Sequence, residues 1–353
     1  MIRRRGENLN SSDKDDEVIL RLAEAMSSAS EFIARHQRDD GALPWFFSGK
    51  LDPWDHSEAL MALSVSGKEA LAQKAFSWLE ENQNNDGSWF AQYFGDKHPD
   101  QSKKDTNFIA YPAAALWHHY LCFRKRETVD RFYNMVSTAI NYVCDEQHEE
   151  GDVNWAVSCV EKLPVDALVT ACSGILISLQ SAISLAELLG DDLSRARWQQ
   201  ASERLRACLH DKPERFDRTW ESKSRFSMDW FYPVMAGVYD LNAAKKRLSN
   251  SHRFVVEGLG CKCVADQPWI TVAESCEYAI ALLCIDDYPA ARGVLAQLLR
   301  FQDDDGGFWT GYNYDTKVIW PQEKTLWTAG AFILACDKLL GKSKAQGFFT
   351  LSA

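Results

Sequence analysis

Apolar residues recur at i, i+3, i+4 and i+7 in about twelve stretches of the chain. The pattern predicts helices over 17–37, 54–66, 68–83, 105–124, 127–147, 165–189, 191–210, 227–241, 243–256, 271–285, 288–302 and 322–340. No convincing strand pattern competes with them. Taken in pairs, the second helix is the more apolar, as in SGILISLQSAISLAELL (173–189), EYAIALLCI (277–285) and LWTAGAFILACDKLL (326–340). A helix apolar on most sides is a buried one, so these second helices predict an inner ring and their partners an outer one. Twelve helices pair into six hairpins, and no Pro- or Gly-rich linker divides them. The expected fold is all-α: one domain over 16–341, with tails at 1–15 and 342–353.

The first helix of a pair often ends in the same way. FIARHQRDDGALPW (32–45), WLEENQNNDGSW (78–89), YVCDEQHEEGDVNW (142–155) and LLRFQDDDGGFW (298–309) each carry a Gln, a Gly four residues later, and an aromatic residue soon after. FVVEGLGCKC (254–263) keeps the lead-in but has Leu259 where the Gln is expected. An ordinary helix stop explains one such turn; four with one spacing make a repeat.

This Q-x-x-D-G-x-W element resembles the glutamine-tryptophan repeat of terpenoid cyclases, squalene cyclase included, and of protein prenyltransferase subunits. The resemblance covers about 17–340 and implies an (α/α)6 toroid of six helical hairpins. It also implies a structural job for Gln37, Gln83, Gln147 and Gln302, an amide satisfying helix-end groups under an aromatic cover. Truncating Trp89 or Trp309 is therefore expected to destabilise the fold.

The catalytic motifs of that superfamily are not matched. The prenyltransferase zinc set, Asp-x-Cys with a later His, has as its nearest counterpart Glu274-Ser275-Cys276, and no His lies beyond His252. A zinc site, a cofactor and the obligate partner subunit of those enzymes are accordingly not expected. The Asp-x-Asp-Asp-Thr-Ala acid motif of the protonating cyclases has its closest match in DTNFIA (105–110), where Asn107 replaces the acid. The chain is also about half as long as a two-barrel triterpene cyclase, so a stand-alone single toroid is expected.

Composition narrows the partners. The 353-residue chain has a formal net charge of −11 and one basic run, Arg3-Arg4-Arg5, which argues against nucleic acid. No apolar run reaches the ~18–20 residues of a membrane span, although peripheral membrane contact stays open. The ten cysteines sit mostly in apolar helical surroundings and read as free thiols of a cytoplasmic protein.

Candidate chemistry lies at the starts of the inner helices, which share one mouth of the ring. Each carries an acid in its first turns: Asp55 with Glu58, Asp105, Asp166, Asp229, Glu274 with Glu277, and Glu323. Capping and the helix dipole account for any single one of them. Their aromatic neighbours ask for more. Trp54, Asn107, Tyr111, Trp230, Tyr232, Trp309 and Trp327 are the expected substrate-binding residues, and Asp229, Asp105, Glu274, Asp55 and Glu323 the expected catalytic acids, Asp229 foremost as a desolvated proton donor. An aromatic, acidic mouth stabilises a carbocation or stacks on sugars and hydrolyses a glycosidic bond. With the resemblance, the expected function is a prenyltransferase- or terpene-cyclase-like enzyme on a hydrophobic, isoprenoid-type small molecule. A carbohydrate-active hydrolase or epimerase and a non-catalytic binding module are the alternatives.

Overall fold

The computed structural model describes residues 11–46, 49–95, 98–160 and 165–351. Residues 1–10 of the expected N-terminal tail and 352–353 of the C-terminal one lie outside the described residues. The chain is mostly helical: α1 (Ser11–His36), α2 (Pro53–Val65), α3 (Glu69–Glu81), α4 (Thr106–Ala110), α5 (Pro112–Phe123), α6 (Arg126–Asp145), α7 (Val169–Leu189), α8 (Asp192–Asp211), α9 (Ser227–Met235), α10 (Leu241–Leu248), α11 (Val272–Cys284), α12 (Tyr288–Leu298) and α13 (Leu326–Leu340).

The inner helices close a circuit. α2 packs on α5, α5 on α7, α7 on α9, α9 on α11, α11 on α13, and α13 back on α2. Outside them α1 lies on α13, α3 on α2, α6 on α5, α8 on α7, α10 on α9 and α12 on α11. Small residues let the inner helices approach. A Cβ at Gly174 would meet the Trp54 ring at 2.5 Å, and one at Gly330 would meet the α2 backbone at Glu58 at 3.3 Å. By length and composition α7 is apolar enough to cross a membrane, yet most of it is buried inside the fold. Its Ser173, Ser178 and Ser181 satisfy their hydroxyls on carbonyls one turn back, as a core helix requires.

The fold is not all-α. Five short antiparallel strands, Val255–Val256, Gly260–Lys262, Trp269–Thr271, Gly311–Asn313 and Val318–Ile319, form a sheet in that order. Two further strand pairs join Gln92–Phe94 to His98–Asp100 and Lys103–Asp105 to Ala156–Ser158. Each strand has only two or three residues, too few for a period-2 pattern to show. They also shorten expected helices. α10 stops at Leu248, eight residues before the expected end at 256, because Val255 and Val256 pair in the sheet. The helix expected over 105–124 is interrupted at Tyr111, ahead of Pro112 with its missing N–H.

All long connections run from an outer helix to the next inner one: 37–52, 82–105, 146–168, 212–226, 249–271 and 299–325. The inner-to-outer turns are short, at 66–68, 124–125, 190–191, 236–240 and 285–287. The sheets and the first turns of the inner helices therefore share one face, the mouth.

The recurrent turns join successive outer helices. In each, the Gln Nε2 donates to the carbonyl of the Gly four residues on, at 2.9–3.0 Å. It donates equally to a carbonyl of the neighbouring outer helix: Gln37 to Leu71, Gln83 to Met135, Gln147 to Ala201 and Gln302 to Ala25. The glycines have φ of +91°, +87°, +104° and +87°, and a Cβ on any of them would press within 2.7 Å of that neighbour's backbone. The large apolar side chain buried in each turn is the one six after the Gln: Leu43, Trp89, Val153 and Phe308. Trp309 is one position further and only half-buried, so it does not share the role of Trp89.

Residues 342–351 of the expected C-terminal tail lie against the domain, with Phe349 buried and its carbonyl accepting from Lys338 Nζ at 2.7 Å. Two substitutions separate the packed aromatic from its neighbour. Trp89→Ala is expected to lower unfolding free energy by ~2–4 kcal/mol. Trp309→Ala is expected to cost clearly less. Urea unfolding midpoints check the order, and equal losses would refute the assignment of the packed position to Phe308.

Candidate active site

Two acid stripes run along inner helices from their starts. Asp52, Asp55 and Glu58 are spaced three apart on α2, hence on one helix face, and Glu274 and Glu277 repeat the spacing on α11. All five are nearly inaccessible to solvent. The helix starts fix them. Asp52 is the N-cap of α2, its Oδ1 accepting from Asp55 N at 2.9 Å, and Pro53 occupies the first helical position. Trp45 Nε1 donates to Asp52 Oδ2 at 2.9 Å, and Lys50 Nζ stands 4.0 Å away.

The deeper acids are tied to tyrosines. Tyr111 OH donates to Glu58 Oε1 at 3.0 Å and Tyr232 OH to Glu277 Oε1 at 2.5 Å. Trp54 stacks on Tyr111 with centroids 4.1 Å apart and leans on Tyr232 at 5.8 Å. These three rings are buried and form a floor. Four of the acids still keep one oxygen each without a hydrogen-bond partner among the described residues: Asp55 Oδ2, Glu58 Oε2, Glu274 Oε2 and Glu277 Oε2. The indole of Trp327 lies beside Glu58 and opposes the rise of its pKa. α13, which carries Trp327 in its first turn, stands between α2 and α11 in the circuit. The arrangement offers a polar molecule several open carboxyl oxygens beside an aromatic floor.

Burial governs the protonation of this group. Burial first, then the Asp52, Glu58 and Glu274 charges, raise Asp55 well above the usual carboxylate range. Burial pushes Glu58 up to about 7 against the opposing hydrogen bond from Tyr111. Burial and the Glu58 charge raise Glu277 well above the usual carboxylate range. A helix N-terminus favours a carboxylate by only ~0.3–1 kcal/mol, less than one pKa unit at about 1.4 kcal/mol each. Desolvation wins.

The other expected site residues are distributed around this centre. Asp105 ends a strand beside α4, buried, with Lys103 Nζ 3.1 Å away, and the Asp52 charge reaches it. Asn107 is half-buried in α4. Asp229 is in the first turn of α9 without being its cap; Thr170 Oγ1 donates to its Oδ1 at 2.5 Å. Burial lifts Asp229 to about 7, yet it borders a separate cavity between α8, α9 and α10. Trp230 is a wall of that cavity, stacked between Phe254 and Tyr278. Glu323 and Trp309 line a groove of about 330 Å³ beside Phe32 and His36 at the end of α1. Sequence reasoning named Asp55, Glu274, Trp54, Tyr111, Tyr232 and Trp327 as one mouth, and the structure gathers them. It passed over Asp52, and it named Glu58 and Glu277 as helix-start acids without placing them in the site; the i, i+3 acid spacing on otherwise apolar helices is the signal that marks them.

No family model matches the chain. Over 327 residues, 92% of this chain and 89% of the other, it is 39% identical to an MMP endo-(1,4)-3-O-methyl-α-D-mannosidase of Mycolicibacterium hassiacum. A variant glycosidase solved in complex with glucose shares the fold with a TM-score of 0.72 at 16% identity, over 95% of this chain and 100% of that one. A D-mannose isomerase does so at 0.69 and 11% identity, over 91% and 97%. These findings overturn the kinship with terpenoid cyclases and prenyltransferases and, with it, the isoprenoid-type substrate. The Gln turn misled because it solves an architectural problem, tying outer helices together, and architecture does not carry chemistry. The centre agrees with the correction, since it is a set of carboxylates over tyrosines and not an apolar chamber.

The raised acids set a pH dependence. Glu58 holds its proton in the folded chain up to about 7, against an ordinary value of 4.5, so folding binds a proton between those values. Stability then falls as pH rises from about 4.5 to 7 and is flat above. Glu58→Gln keeps an acceptor for Tyr111 and removes the buried charge. It is expected to raise stability at pH 8 by about 1–3 kcal/mol and to flatten the melting temperature between pH 5 and 8. An unchanged slope would show that Glu58 is not the group that titrates.

Proposed function

Because the chain belongs to the family of the MMP endo-(1,4)-3-O-methyl-α-D-mannosidase, we propose that it is a glycoside hydrolase acting within (1→4)-linked chains of 3-O-methylated α-mannose. The observation that carries the chemistry is the set of open buried carboxyl oxygens on α2 and α11, at Asp55, Glu58, Glu274 and Glu277, of which Asp55 and Glu274 lie in the first turns, nearest the mouth, on inner helices one α13 apart. Asp55, kept protonated by burial and by its acidic neighbours, donates its proton to the glycosidic oxygen as the C–O bond breaks. Glu274 takes a proton from the water that attacks the anomeric carbon. The proton lost by Asp55 is balanced by the one Glu274 gains, and solvent exchange resets both. Trp327, beside Glu58, offers its ring to the sugar, and the Trp54–Tyr111–Tyr232 floor excludes water from below.

The architecture we propose for this enzyme is an (α/α)6 toroid of six hairpins, running from α1 with α2 to α12 with α13. The closed circuit of inner helices supports it. Ten free cysteines support a reducing, cytoplasmic setting.

Purified protein is expected to release new reducing ends from (1→4)-linked 3-O-methyl-α-mannose oligosaccharides. Asp55→Asn and Glu274→Gln are each expected to lower kcat by about 10²–10⁴ with little change in melting temperature. Since Asp55 acts protonated, the wild-type rate falls on the alkaline side. Full turnover by either variant would displace that residue from the mechanism.

A further inference from the structure

The clamp that joins outer helices is absent after α8. No Gln–Gly turn follows it, and Leu259 stands where the next glutamine is expected. α10 has only eight residues. At this gap a cavity of about 940 Å³ opens between the end of α8, the first turn of α9 and α10, within the size range of ligand sites. Its walls include Phe216, Tyr239, Phe254 and Trp230.

The cavity is built and held. Buried Asp166 accepts from the backbone N–H groups of Ala167, Arg218 and Thr219 and from the Thr219 hydroxyl, and buried Asp152 pairs with Arg215 and Arg218. These bonds fix the 212–226 connection that forms one side. Arg247 fixes the other. Its guanidinium donates to the carbonyls of Trp230 and Asp229 and to Tyr239 OH, while its own carbonyl accepts from Trp230 Nε1. At the inner end Asp229, 7% exposed, reaches Thr170 at the start of α7. The cavity thus reaches the first turns of α7 and α9, on the same face as Asp55 and Glu274.

We propose that this cavity is a saccharide subsite, holding sugar units of the substrate chain remote from the cleaved bond, with Asp229 as its polar anchor. The inference rests on the glycosidase reading and adds a substrate-length requirement to it. Cleavage inside a chain needs sugar units bound on both sides of the scissile link, and the aromatic floor beneath Asp55 leaves no depth for them. The broken repeat supplies the room laterally. Ring faces of Phe216 and Tyr239 suit the C–H faces and methyl ethers of the sugar, and the carboxyl of Asp229 suits a hydroxyl.

Ala243→Trp, on the α10 wall, fills the cavity; Asp229→Asn keeps the Thr170 contact and removes the acid. The measurements are oligosaccharide binding by tryptophan fluorescence titration and kcat/KM for (1→4)-linked 3-O-methyl-α-mannose chains of increasing length, with melting temperature as the folding control. In both variants the ratio of kcat/KM for the longest to the shortest cleaved chain is expected to fall about tenfold, the loss of roughly one good polar contact, with binding of long chains weakened alike. Cleavage with an unchanged length ratio in a folded Ala243→Trp protein overturns the subsite and leaves the hydrolase. Binding without cleavage, weakened by Ala243→Trp, upholds the subsite and overturns hydrolysis. A wild-type protein that binds no oligosaccharide overturns both.

Discussion

One side-chain amide, used four times, holds the outer layer together. Each glutamine Nε2 closes its own turn on a glycine carbonyl and takes a carbonyl from the next outer helix. A hydrogen bond of this kind is worth ~0.5–1.5 kcal/mol net, so eight of them do not by themselves make the fold stable. Their effect is geometric. They require the helices to approach until only a glycine fits, with the would-be Cβ 2.2–2.7 Å from the neighbouring backbone. That spacing sets the circumference of the outer layer, and the inner helices must fill what it encloses.

Closing the inner circuit has an electrostatic consequence. Inner helices enter from the same face, so their acid-bearing first turns converge. Burial, with the charges of their acidic neighbours, raises Asp55 and Glu277 well above the ordinary carboxylate range. The tyrosines answer one oxygen each of the deeper pair, Glu58 and Glu277, and each of Asp55, Glu58, Glu274 and Glu277 keeps an open oxygen. The stability cost of these acids and the open oxygens they present have the same origin.

What the sequence disclosed follows from the range of the interactions. Gln37, Gln83, Gln147 and Gln302 were legible because their turn is local and repeated. Asp55 and Glu274 were legible as acids opening apolar helices. Their deeper neighbours Glu58 and Glu277 sit on the same helices, but nothing local says that the two pairs meet across α13. Trp309 took the place of Phe308 because an aromatic residue one position out of register looks like the packed one. The strands escaped because two or three residues carry no period, and Asp229 drew attention through its aromatic neighbours while facing another cavity. The chemistry was misread for a different reason: the clamp is a property of the scaffold.

The one-sided distribution of connections also makes the scaffold modular. Turns of two to five residues on the far face, such as 190–191 and 236–240, leave little slack, and an insertion there would shear two packed helices apart. The mouth connections reach 27 residues at 299–325 and carry their own small sheets. Lengthening or exchanging one of them would remodel the rim without moving an inner helix. Descent within such a lineage can therefore change what enters the ring while the acids at its centre stay in register.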